Sequence, residues 1–261
     1  MLTMRDFITD QRLHKALDEV ESWMGYVIPA VPMPLQHQEY ARGSMKFNEE
    51  TGSFEFLYIA NEPLNQAGCC HELAHLILWI NGAVIKYDYS LPIPAIFYTP
   101  TIRLFLHEIW LYMQHVPVFN FVKGLGYDEI PNYASHAPSL VALIRQNQFD
   151  PAMNVPSWDP EKDKVRCQAG VLVKHLALPM AEETRDALKK VAQEKIPQSL
   201  ELADAILSAL GQRSLLGGQE YQEYLSEIYH IAGFPRASLL FSFLNNVCPS
   251  FRLRILEAAK L

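Results

Sequence analysis

The run LNQAGCCHELAHLILWI, residues 64–80, constrains this chain more than any other stretch. Pro63 suits the first turn of a helix, Asn61 can cap it, and Asn81-Gly82 is a stop signal. The segment is apolar, so the helix is expected to be buried, and polar groups inside a buried helix need partners. Those groups are His71, Glu72 and His75, spaced H-E-x-x-H. Positions i and i+4 of a helix share a face, so the two imidazoles converge on one point in space. Zinc accepts imidazole nitrogen at roughly 2.0–2.1 Å. Glu72 sits about 100° further round the helix. It cannot be a ligand beside both histidines, but it can reach a water next to the ion, as a general base must. The bland alternative is a pair of hydrogen-bonded core histidines.

Around this helix the sequence alternates between breakers and periodic runs. Residues 4–24 place Phe7, Ile8, Leu13, Leu17, Val20 and Met24 at helical spacing. VIPAVPMPL, residues 27–35, carries three prolines and breaks the helix. Alternating runs at 44–48 and 53–60 flank EETG and predict a hairpin. AVIKYDY reads as a short strand-like piece before the loop LPIPAIFYTP. A second apolar helix, TIRLFLHEIWLYMQH, is expected to start near Pro100, with Thr99 as cap, and to end before Pro117. From about residue 160 the text is helical to the end, and Gly217-Gly218 reads as a turn between helices. The fold class expected is therefore α+β and mostly helical: a small β-hairpin or sheet beside a helix pair, plus a C-terminal helical part. The loop NQFDPAMNVPSWDPEKD, 147–163, suggests a division into 1–147 and 160–261, or one compact domain.

Bulk properties exclude several roles. The chain has 261 residues, 49% of them hydrophobic, enough for a sizeable core. A net charge of −7 argues against nucleic acid or an anionic membrane as partner. Arg252, Arg254 and Lys260 near the C-terminus read as the wet side of an amphipathic helix. There is no secretory signal and no run of 18 apolar residues. Cys69, Cys70, Cys167 and Cys248 are too few and ill-placed for a disulfide scaffold, so a reduced, cytoplasmic protein is expected.

HELAH on a helix that follows a hairpin resembles the zincin metallopeptidases, over roughly residues 43–116. The resemblance implies a Zn2+ cofactor and hydrolysis of peptide bonds. The longer metzincin pattern is not met, because Leu78 and Asn81 stand where it needs glycine and histidine. A deformylase-like site would need a cysteine upstream, whereas Cys69 and Cys70 lie on the helix itself and read as small core residues. The gluzincin pattern takes a glutamate from a second helix. It implies Glu108, a carboxylate in an otherwise apolar helix that a cation would neutralise, with His107 as the alternative. Tyr112 stands where thermolysin-like members carry an aspartate, so likeness to that branch stops there. A looser likeness is to the compact ImmA/IrrE-type peptidases. For stabilising an oxyanion the resemblance implies a His or Tyr; His115 is the choice, with Tyr112, Tyr127, Tyr133 and His136 as alternatives.

The expectation is a zinc peptidase with His71, His75 and Glu108 as ligands and Glu72 and His115 as catalytic groups. Its substrate is a peptide or protein, paired by strand addition along the hairpin near Phe54–Ala60. The C-terminal helices either cover the cleft or recruit a protein partner. The competing expectation is a non-catalytic helical interaction protein with a structural or vestigial metal site, in which His107 could close the fourth position.

Overall fold

The computed structural model describes residues 2–33, 43–48, 50–60, 66–81, 100–128, 132–154, 157, 159–211, 213, 215 and 218–233. A short 3-10 turn, Met4–Phe7, precedes helix α1, Gln11–Met24. The Asp10 side chain caps α1 by accepting from the Arg12 N–H, and Gly25 ends it in the left-handed region, at φ 80°. Leu13, Leu17 and Val20 are the buried stripe of α1. Burying each such side chain stabilises the fold by roughly 1.5–3 kcal/mol.

Three strands follow: β1 (Ala30–Pro32), β2 (Gly43–Asn48) and β3 (Ser53–Tyr58). β2 and β3 form the expected antiparallel hairpin, with Met45 opposite Phe56 and Asn48 opposite Ser53. Its turn closes through the Gly52 N–H to the Asn48 carbonyl at 2.8 Å, and Gly52 supplies a φ of 65°. β1 lies parallel to β3 and was not expected: VIPAVPMPL is not wholly a breaker. Pro32 is the last residue of this edge strand, where a missing N–H costs least.

The sheet order is β1-β3-β2. This corrects the expectation that a substrate pairs along Phe54–Ala60. β3 is the central strand; its Phe56 N–H bonds the Pro29 carbonyl and its Phe54 N–H bonds the Tyr26 hydroxyl, 2.8 and 2.9 Å. The strand at the outside of the hairpin is β2.

Helix α2, Gln66–Ile80, is the H-E-x-x-H helix, apolar on nearly every side and therefore deep in the fold. Cys69, Cys70, Leu73, Ala74, Leu76 and Leu78 are all buried. Helix α3, Pro100–Gly124, begins where the sequence indicates but does not stop before Pro117. Pro117 removes only the bond its N–H would have given the Met113 carbonyl, and the buried residues Val118, Phe119 and Val122 carry the helix onward. Tertiary packing outweighs one missing ladder bond. The proposed caps at Asn61, Pro63 and Thr99, the strand-like piece at 83–89 and the helices beyond residue 233 lie outside the described residues.

A 3-10 turn at Asn132–His136 leads into α4 (Ala137–Arg145), which the sequence reading passed over. Then come α5 (Pro160–Ala177), α6 (Glu182–Lys195), α7 (Pro197–Leu210) and α8 (Gly218–Ile231). Asp159 caps α5 through the Lys162 N–H, and Pro160 sits in its first turn. α5 runs alongside α3 in the same direction. Asp163 accepts from the Thr101 hydroxyl at 2.8 Å, and the Cys167 thiol reaches the Thr101 carbonyl. Gly170 allows the closest approach: a Cβ there would stand 3.2 Å from Cβ of Glu108 and 3.3 Å from Cδ2 of Phe105. One buried cluster extends from Met4 through α2, α3 and α5 to Ala232. The architecture is thus mostly helical α+β, with the small sheet against one side of α2. No described helix is long and apolar enough to cross a membrane.

Candidate metal centre

α2 presents His71 and His75 one turn apart, and α3 packs against that face and adds His115. The three rings stand at centroid separations of 4.9, 5.4 and 5.1 Å. One nitrogen from each lies within 4.8 Å of the other two, and the Nε2 atoms of His71 and His75 are 3.1 Å apart. Two imidazole nitrogens on a tetrahedral zinc would be about 3.3 Å apart, given bonds of roughly 2.0–2.1 Å. The α2 pair already has that spacing. The donor set, three imidazoles, suits a borderline divalent cation. All three rings are half-buried.

The tautomers are fixed from behind. Nδ1 of His115 lies 2.7 Å from the Leu111 carbonyl, which can only accept, so Nδ1 carries the hydrogen and Nε2 carries the lone pair. His75 is hydrogen-bonded by the side chain of Gln114. Enclosure by protein is the main reason its pKa falls well below 6.5, with the neighbouring His71 and His115 adding to the shift. A ring in that state is a neutral base, ready to donate to a cation. Phe119 closes one wall, edge-on to His71 at 5.4 Å and stacked on His115 at 5.9 Å.

Glu72, one residue past His71, turns toward the sheet. Its Oε2 accepts from the Met45 N–H of β2 at 2.8 Å. Phe56, opposite Met45, directs its own N–H to Pro29, so this is a pair without ladder bonds and the Met45 N–H points to the outer side of β2. The carboxylate therefore bridges the H-E-x-x-H helix and the sheet's outer strand.

The structure does not bring Glu108 into this group. Its carboxylate forms an ion pair with Lys174 of α5, and both side chains are largely buried. The cation that neutralises it belongs to the protein. The third nitrogen comes instead from His115, two turns further along the same helix, which the sequence reading had assigned to the oxyanion. His107 is exposed and stacks on Trp110. Tyr112 is buried against Tyr224, Tyr127 bonds Asp10, and His136 is exposed at the end of its 3-10 turn. The Tyr133 side chain lies outside the described residues. Burial, and next the charge of Glu72, push the Cys69 thiol up to about 12, so it stays protonated near neutrality and is no thiolate ligand.

Gln114 was not singled out from the sequence, although a buried amide adjacent to a histidine in an apolar helix is itself a signal: such a group needs partners. No protein-family model matches this chain, and no curated protein or solved structure shows significant similarity to it.

Proposed function

We propose that this chain is a metal-dependent hydrolase, a peptidase using Zn2+ held by His71, His75 and His115, with Glu72 as general base. The observation that carries the reading is the meeting of three imidazole nitrogens from two helices, with the Glu72 carboxylate on the next position of α2. The ion would act as a Lewis acid on a carbonyl oxygen and make water more acidic. The protein does the rest. His115 is oriented through Leu111 and His75 through Gln114. Glu72 takes a proton from the attacking water and hands it to the leaving amine. The Met45 N–H, by donating to Glu72, fixes its direction. Phe119 keeps part of the site dry. The proposed substrate is a peptide or protein, and an extended chain pairing along β2 would take the Met45 rung from the Glu72 carboxylate.

Glu72→Gln is the decisive variant. It is expected to hold zinc as the parent does and to cleave an unstructured protein such as casein about 10²- to 10⁴-fold more slowly. Cleavage by both proteins at the same rate refutes the enzymatic reading and leaves a structural metal site. Metal analysis of the purified chain comes first: near one zinc per chain is expected, and none in the His71→Ala/His75→Ala double variant.

A further inference from the structure

Behind the three histidines the polar groups continue toward the C-terminal helices. Gln114 is 1% exposed and sits next to His115 on α3. Its side-chain nitrogen donates to the Tyr221 hydroxyl of α8 at 3.0 Å, and Tyr221 is fully buried. A primary amide has one oxygen acceptor and one nitrogen donor group. The same side chain is hydrogen-bonded to His75, so Gln114 joins one of the three histidines to α8. Nε2 of His75 faces His71, which leaves Nδ1 as the ring nitrogen turned to other partners.

We infer that Gln114 and Tyr221 are positioning residues for the three-histidine centre: Gln114 holds the ring of His75 with Nε2 turned inward, and Tyr221 of α8 holds Gln114. The inference rests on the reading that these histidines bind a metal. It gives α8 a part in the centre although α8 supplies no ligand. By linkage, filling the site strengthens the Gln114–Tyr221 contact, and breaking that contact weakens the site by the same factor.

The same helices carry an internal control. Two turns of α3 and α8 are also joined by Tyr112 and Tyr224, hydroxyl to hydroxyl at 3.0 Å, and Tyr224 passes its hydrogen to the Ile206 carbonyl at 2.6 Å. This second link is as buried as the first but touches none of the three histidines in the described contacts. If Tyr221 merely glued α3 to α8, the two tyrosines would be equivalent.

The test measures Zn2+ affinity of the full chain by competition with a chromogenic chelator, beside melting temperature. Gln114→Leu is expected to weaken Zn2+ binding about 10- to 100-fold, the usual effect of removing a ligand's hydrogen-bond partner. Tyr221→Phe should weaken it about fivefold, one neutral hydrogen bond. Gln114→Glu keeps an acceptor oxygen and should rescue affinity. Tyr224→Phe should lower the melting temperature as Tyr221→Phe does and leave Zn2+ affinity as in the parent. Should Gln114→Leu fail to fold, Tyr221→Phe and Tyr224→Phe decide alone. Equal Zn2+ affinity in those two variants overturns the inference while leaving the metal centre standing. A parent chain that takes up no Zn2+ overturns both.

Discussion

The two halves of α3 solve one problem in opposite ways. In the N-terminal half, Glu108 brings a charge into an apolar environment and Lys174 of α5 answers it; Gly170 lets the helices close to within reach. In the C-terminal half, His115 meets His71 and His75, and all three groups are lone-pair donors. Opposite charges complete one another within the protein. Like bases crowded at 3.1 Å share at most a proton, and the arrangement gains most from a cation added from outside.

The sharpest way to break this comparison is to exchange the fates of its two members. His115→Ala should lower Zn2+ affinity by more than about a hundredfold, beyond what an outer hydrogen-bond partner is worth. Glu108→Gln should leave zinc content unchanged. Loss of zinc in Glu108→Gln but not in His115→Ala, measured by metal analysis after gel filtration, would reverse the assignment. Next in size is stability. Glu108→Gln removes the partner of a largely buried lysine and should cost about 2 kcal/mol in urea unfolding, between the values for exposed and fully buried pairs. Gly170→Val belongs to the same contact: its new atoms meet Glu108 and Phe105, and overpacking should cost roughly 1–3 kcal/mol. A Gly170→Val chain as stable as the parent would show that α5 does not press on α3 there.

The smallest effect separates the halves by pH. His75 belongs to the metal half and His175 lies near Glu108 in the other, and burial is the main cause of a pKa below 6.5 in each. The unfolded chain then binds more protons than the folded one, so stability is full above about pH 6.5 and falls as pH drops through that value. Each ring adds a slope of at most about 1.4 kcal/mol per pH unit. Melting temperatures of the zinc-free protein near pH 7 and pH 5.5 should therefore differ less in His175→Gln than in the parent. Zinc should steepen the His75 share, because protons and metal compete for one nitrogen, and leave the His175 share alone. A pH response in His175→Gln equal to that of the parent would remove His175 from this account.

Local chemistry was readable in the sequence wherever neighbours in the chain decide the outcome. The hairpin at 43–58, the end of α2 at Ile80, the start of α3 at Pro100 and the separate helices α6 and α7 all follow from periodicity and punctuation. So did the facing of His71 and His75, which needs only a helix. Pro117 misled because a helix breaker was weighed without the buried side chains on its far side. β1 escaped because it is short and pairs in parallel with a strand well downstream. The same blindness to distance put Glu108 where His115 stands. Lys174 lies far along the chain from Glu108, and nothing within the helix announces it. His115 itself was singled out, but its closeness to α2 depends on how two helices cross.

A strand at the rim of a sheet invites pairing by other molecules of the same chain, and proteins blunt such rims with charge. The Glu72 carboxylate lies over the Met45 N–H on the outward side of β2 and occupies one rung of that ladder. It thereby disfavours stacking of copies through their sheets. Glu72→Gln retains a carbonyl acceptor at that rung, whereas Glu72→Ala uncovers it and should make concentrated solutions of the protein self-associate.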